Sequence, residues 1–229
     1  MTAPQAAPTL RARPRCASLE GVSKLFGSFA ALRQVTAEFE PGRCYVLIGE
    51  NGAGKSTLLR ILAGLLRPSF GTVKVFDSLE PHDVRDRIGY MSHAPMLYDE
   101  LTAEENLRYF RSLYPNRPSL SPAEALRQVG LDPDLKRTLG QYSQGMRQRT
   151  SLARVLMPTP ELLLLDEPFS NMDVESTRQM VDLLAGFRQS NRTIVITTHQ
   201  RELAAPIADW VLTLGAGRMV SLEPGSPTL

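Results

Sequence analysis

The sequence predicts an α/β fold: a parallel core with antiparallel strands at its start and a helical insert in its middle. Three observations carry this. Two short runs, Cys44 to Ile48 and Leu162 to Leu165, are wholly apolar, as expected of strands buried on both faces. Each is followed by a stretch whose apolar residues recur every three or four positions, the period of a helix. The last part of the chain reads as a hairpin, Val211 to Leu214 and Arg218 to Leu222, around Gly215-Ala216-Gly217.

The elements follow in order. Ala17 to Phe39 is strand-like and broken at Gly27-Ser28, and Pro41-Gly42 is a turn. Cys44 to Ile48 leads into a glycine-rich loop, Gly49 to Gly54. The helix behind it shows Leu58, Leu59, Ile61, Leu62, Leu65 and Leu66 on its apolar stripe, and Arg67-Pro68 is its expected end. Thr72 to Phe76 reads as a strand. The insert, about 95–158, holds helices at Ala103 to Tyr114, Pro122 to Val129 and Gln144 to Met157. Strand and helix then alternate: Leu162 to Leu165, Val174 to Phe187, Thr193 to Thr197. Residues 1–16 and 223–229 read as loose tails around one domain, 17–222. The first sixteen residues lack the apolar run of a secretory signal.

Composition narrows the classes. Of 229 residues, 42% are hydrophobic and 22% charged, ordinary globular usage. Net charge is +2, from 26 basic and 24 acidic side chains, with no basic stripe, so a nucleic-acid partner is not expected. The longest apolar run is five residues, against about twenty for a membrane span. Cys16 and Cys44 form no CxxC and no disulfide framework.

Gly49-Glu50-Asn51-Gly52-Ala53-Gly54-Lys55-Ser56 fits G-x-x-x-x-G-K-[ST] at every fixed position. An apolar strand precedes it and a helix follows. Glycines let successive N–H groups converge on one anion, and the helix adds its positive end. Lys55 is placed to bridge the β- and γ-phosphates, and Ser56 to ligate Mg²⁺. Leu162 to Leu165 ends in Asp166-Glu167, at the strand edge where ligands bind in open α/β sheets. Adjacent strand residues point to opposite faces, so the two acids divide the work. Asp166 suits Mg²⁺; Glu167 suits a base for the attacking water.

At this point the sequence resembles the ATP-binding cassette family, over about Leu19 to Leu222. Tyr142-Ser143-Gln144-Gly145-Met146 is similar to the family signature L-S-G-G-Q at Ser143 and Gly145, and Ser143 lies 23 residues before Asp166. The resemblance implies a P-loop NTPase cassette with a RecA-like parallel core, an N-terminal antiparallel β subdomain and a helical insert. It implies ATP and Mg²⁺, with Gly49 through Ser56 and Thr57 around the phosphates. It implies a head-to-tail dimer, homodimer or pseudo-dimer, in which Ser143 and Gly145 reach the γ-phosphate held by the partner. Phe26 is similar to the family's adenine-stacking aromatic; the competing reading is a core residue. Ser170-Asn171-Met172-Asp173 looks like the D-loop, with Asp173 contacting the opposite subunit. His199 looks like the switch histidine facing the γ-phosphate. Catalysis then falls to Glu167, His199 and Lys55, and Mg²⁺ to Ser56 and Asp166.

Three positions depart from the family pattern. His93 stands where the family has a glutamine; Mg²⁺ prefers oxygen to imidazole, so His93 acts through water or as a mechanical link. Gln144 replaces the first signature glycine and Met146 the final glutamine. The resemblance further implies separate multispanning membrane subunits and a peripheral place on the cytoplasmic face of the inner membrane. Ser143 to Arg149 is similar to exporter ATPases. Ser92-His93 with Leu97-Tyr98-Asp99 looks like the haem exporter of cytochrome c maturation, with drug, polysaccharide or lipid exporters as the alternative. Residues 91–114 are the expected docking surface. Tyr98 and Leu101 are candidates there, and Tyr109 and Phe110 read rather as the insert's own core. A soluble repair or translation ATPase, a non-hydrolysing scaffold and a kinase fit less well. The first would need coiled coils or a second cassette, the second would lack Lys55, Glu167 or His199, and the third would lack the signature.

Overall fold

Residues 15–114 and 118–228 are described in the structure, a computed structural model of the chain. β1 (Ala17–Phe26) and β2 (Phe29–Phe39) pair antiparallel across the predicted break, and β4 (Phe70–Val75) takes the other edge of β1. A second sheet holds β5 (Ile88–Met91), β6 (Leu162–Asp166), β7 (Thr193–Thr197), β3 (Cys44–Ile48), β8 (Trp210–Gly215) and β9 (Arg218–Pro224), side by side in that order. All its pairings are parallel except β8 with β9.

The all-apolar runs are explained by what covers them. Leu163, Leu165, Ile194, Ile196, Cys44 and Val46 face one core, shared with the insert helices and α5 (Val174–Gln189). Leu162, Leu164, Val195, Tyr45 and Leu47 face the other, shared with α1 (Lys55–Leu62) and the small sheet. Each strand alternates between two buried layers, so neither face meets solvent. Both cysteines are free and buried. Burial pushes the Cys16 thiol up to about 11 and that of Cys44 higher still.

The insert comprises α2 (Ala103–Ser112), α3 (Pro122–Gln128) and α4 (Gln144–Leu156). Thr102 with Glu105, and Ser121 with Glu124, form reciprocal capping boxes at the starts of α2 and α3. Among the described residues no helix is long and apolar enough to cross a membrane.

Five sequence expectations are corrected. α1 ends at Leu62 rather than Arg67, because Gly64 takes a φ of 70° and turns the chain; Leu65 is left exposed. β5 was not expected. Tyr109 is not core: it is 42% exposed and meets Tyr98 and Phe110 edge-on at 5.2 and 5.4 Å. The amino-terminal tail is shorter than 1–16, since Cys16 is buried and its N–H donates to the Phe39 carbonyl at 2.7 Å; residues 1–14 lie outside the described residues. The carboxyl-terminal stretch is not a loose tail through Thr228. β9 runs to Pro224, and the Gly225 and Thr228 N–H groups donate to Asp209 and Pro206 carbonyls at 2.8 and 2.9 Å.

Candidate active site

The carboxyl ends of β3, β6 and β7 lie side by side, and each delivers one part of a cleft of about 990 Å³. Predicted residues Phe26, Glu50 to Thr57, His93, Asp166, Glu167 and His199 all line it. Gly49 lies beneath and contributes its carbonyl.

After β3 the glycine-rich loop turns into α1. Gly54 caps that helix at φ 101°, and a Cβ there would stand 2.5 Å from the Ala31 carbonyl oxygen. Conformation and room both demand glycine. Lys55 is only 7% exposed, and its Nζ donates to the Gly49 and Glu50 carbonyls at 2.7 and 3.2 Å. The ammonium is thus held over the loop, beside the positive end of α1.

After β6 the two acids diverge in role but not in direction. Asp166 Oδ1 accepts from Ser56 Oγ at 2.9 Å and from Thr197 Oγ1 at 2.7 Å. This carboxylate is 2% exposed. Glu167 takes a left-handed backbone, φ 53°, secured by its N–H donating to Thr197 Oγ1 at 3.0 Å and to the Thr197 carbonyl at 3.1 Å. That turn breaks the strand alternation, so both acids line one cleft instead of facing opposite sides. A non-glycine residue here costs about 1 to 3 kcal/mol, strain of the kind found at working sites.

After β7, His199 Nδ1 stands 3.0 Å from Glu167 Oε2, and Gln200 Nε2 lies 3.2 Å from His199 Nε2. With Glu167 ionised, the imidazole hydrogen sits on Nδ1 and Nε2 accepts from the amide. Phe26, at the end of β1, is 50% exposed and so is not a core residue; Lys24 Nζ lies 5.3 Å from its ring centre. Phe29 pairs with it across the hairpin and also lines the cleft.

Ser143, Gly145 and Asp173 do not join this cleft. Ser143 caps α4, accepting from the Met146 N–H at 3.3 Å. Asp173 caps α5, accepting from the Ser176 N–H at 2.8 Å and from Ser176 Oγ at 2.9 Å. Gly145 is buried between these two helix starts.

Besides Ala31 and Phe169, Phe29 and Gln200 on the cleft wall and Thr197 behind its two acids were missed from sequence. Thr197 had a readable signal, a hydroxyl closing an apolar strand. Phe29 had a weaker one, a second aromatic across a two-residue turn. Gln200 had none. Among the described residues no cluster of three or more His, Cys, Asp or Glu could hold a metal alone. The Ser56 hydroxyl and Asp166 carboxylate, 2.9 Å apart, are the oxygen pair that fits a hard cation whose other ligands come from phosphate and water.

A phosphate loop under a buried carboxylate, with an acid–imidazole pair beside it, is the arrangement of a P-loop nucleotide-binding cassette. The pattern of the ABC transporter family matches residues 32–170, and the chain belongs to that family as an ATP-binding cassette. It is 41% identical over 197 residues to the fluoroquinolones export ATP-binding protein MT2762 of Mycobacterium tuberculosis (strain CDC 1551 / Oshkosh). That match covers 83% of this chain and 64% of the relative, so the chain spans less than two thirds of the relative's length. It is 36% identical over 220 residues to the sulfate/thiosulfate import ATP-binding protein CysA of Pseudomonas aeruginosa, covering 91% of this chain and 66% of the relative. The dimeric post-hydrolysis structure of the ATP-binding cassette MJ0796, bound to ADP and Pi, superposes with a TM-score of 0.81 at 25% identity, covering 91% of this chain and 98% of that one. The expected fold class stands. Neither named relative is a haem exporter.

Proposed function

We propose that this chain is the ATP-hydrolysing subunit of an ABC exporter, held on the cytoplasmic face of the membrane by separate membrane subunits. The observation that carries the reading is the set of contacts Ser56–Asp166–Thr197–Glu167–His199, closed within hydrogen-bond distance beneath the phosphate loop.

In this reading Lys55 leaves its loop carbonyls for the β- and γ-phosphate oxygens. Loop N–H groups and the start of α1 hold the same charge. Phe26 stacks on the adenine. Glu167 takes the proton of the attacking water as that water adds in line to the γ-phosphorus, and the bond to the β-phosphate oxygen breaks. His199 fixes the Glu167 carboxylate through Nδ1. Ser56 and Asp166 would hold Mg²⁺, whose chemistry is to neutralise charge across the two terminal phosphates. His93 lines the same cleft and links it to the insert. Ser143, Gly145 and Asp173 serve the site of a second copy, which is why they lie outside this one. The dimeric relative supports that arrangement.

Export is supported by the Ser143 to Arg149 run and by the 41% identical export protein. The haem reading rests on Ser92-His93 and Leu97-Tyr98-Asp99 alone, so we propose an exporter and no particular cargo. Docking to membrane subunits is supported by exposed Met96, Tyr98, Tyr109, Leu113 and Tyr114 on the insert, a grouping of apolar surface that marks interfaces.

The test is Glu167→Gln. It should bind ATP and form an ATP-dependent dimer. Its turnover should fall by about 10² to 10⁴, the usual loss on removing a positioned base. Turnover within a few-fold of the unaltered protein sinks the assignment.

A further inference from the structure

We infer that Ser176 is a positioning residue that locks the start of α4 to the start of α5, and that Gly145 is a glycine because of Ser176. Both segments are the ones that the proposed head-to-tail dimer presents to a second copy, and the inference rests on that reading.

The contacts are one-sided and specific. A Cβ built on Gly145 would stand 2.5 Å from Ser176 Oγ and 2.6 Å from Ser176 Cβ, with Met172 Cε next at 3.6 Å. Real Cβ atoms do not approach so closely, and the Ser176 Cβ, unlike its hydroxyl, is fixed by the α5 backbone and cannot rotate away. Its Oγ donates to Asp173 Oδ2 at 2.9 Å while its N–H donates to Oδ1 at 2.8 Å. One residue therefore touches the signature glycine with its side chain and holds both oxygens of the D-loop cap, one with its hydroxyl and one with its backbone N–H. The Ser176 N–H, and then its hydroxyl, hold the Asp173 carboxyl below the usual carboxylate range. Gly145 lies in ordinary helix and its φ is not positive. Backbone conformation does not call for glycine there; the neighbour does.

The consequence is mechanical. Ser143 and Gly145 on α4, and Asp173 before α5, stand on different helices, yet Ser176 sets their separation. A shift of either helix start is passed to the other, because packed contacts move between discrete arrangements. The two segments then meet a second copy as one unit.

The experiment is a cycle in Glu167→Gln protein, reading ATP-dependent dimerisation by sedimentation. Thermal melting and binding of a fluorescent ATP analogue to the monomer serve as controls. Ser176→Ala keeps the backbone cap and removes only the hydroxyl. It should weaken dimerisation about tenfold, the scale of one hydrogen bond to a charged group, with analogue affinity unchanged. Gly145→Ala should weaken dimerisation by about tenfold or more beside Ser176, as overpacking does, but less than about twofold beside Ser176→Gly. Equal damage in both backgrounds would show that the glycine answers to nucleotide, and overturns the inference. So does a Ser176→Ala protein that melts lower yet dimerises as tightly as its parent. A Glu167→Gln parent that stays monomeric in ATP overturns the head-to-tail dimer and this inference with it. A parent that dimerises, unaffected by Ser176→Ala, overturns this inference alone.

Discussion

Thr197 is fully buried, and one hydroxyl on it serves two acids. It donates to Asp166 and accepts from the Glu167 N–H, so it fixes both the proposed metal ligand and the proposed base. Thr197→Val keeps the branched shape that the strand needs and deletes both bonds. Asp166 would then keep only Ser56 as a donor at Oδ1 in a nearly dry site. The expected stability loss is about 1 to 3 kcal/mol, the cost of stranding a buried polar group. ATPase turnover should fall at least about tenfold, because the left-handed turn at Glu167 loses one of its two anchors. Urea unfolding and steady-state hydrolysis check this. An unfolding midpoint that drops while turnover per folded molecule holds would confine Thr197 to a structural part.

At the scale of elements, α2 depends on its start. Thr102 Oγ1 accepts from the Glu105 N–H at 3.2 Å, and Glu105 Oε2 accepts from the Thr102 N–H at 2.8 Å. The buried Asn106 then ties the preceding loop, accepting from the Tyr98 N–H at 2.8 Å and donating to the Tyr98 carbonyl at 3.0 Å. Thr102→Ala should cost about 0.5 to 2 kcal/mol by urea unfolding and leave ATP affinity unchanged; a cost near zero would mean that Asn106 alone holds the segment. From sequence this helix was placed by its spacing and its cap was left unread, although a cap of this kind is local. β3 and β6 were legible because their apolar runs are long enough to exclude a solvated face, and β7 because Ile194 to Ile196 repeats the pattern between two threonines. β5 was not. It has four residues, and Gly89 interrupts it. That glycine is there because a Cβ would meet Val155 and Pro160 at 2.7 and 2.8 Å, neighbours far along the chain. The early end of α1 was hidden too, since Leu65 and Leu66 continue the helical spacing past Gly64. The motif residues could be placed from spacing. The Gly145–Ser176 contact could not, because it joins two helices.

For the whole molecule, one buried carboxylate joins the parts that carry the phosphate loop. Asp209, with a side chain 8% exposed, accepts from the Cys44 N–H at the start of β3 at 2.8 Å and from Arg188 at the end of α5 at 2.8 and 2.9 Å. Arg43 stands 3.4 Å away, and the Asp209 carbonyl takes the Gly225 N–H. Burial alone would raise this carboxyl; the Arg188 guanidinium, the Cys44 N–H and Arg43 outweigh it and hold it below its ordinary range. A depressed folded value means that the unfolded chain binds the proton first. The contribution to stability is therefore whole above the unfolded value of about 3.9. It is lost as pH falls through the lower, folded value. Asp209→Asn keeps the size and removes the charge. Near neutral pH it should melt below the unaltered protein, and the gap should close as pH is lowered below about 4. Melting curves taken across that range decide it. A gap that stays constant with pH would mean that the variant lost shape or hydrogen bonds rather than charge. β3 would then owe its place at the foot of the phosphate loop to packing between the two buried layers, with no ionic clamp beneath it.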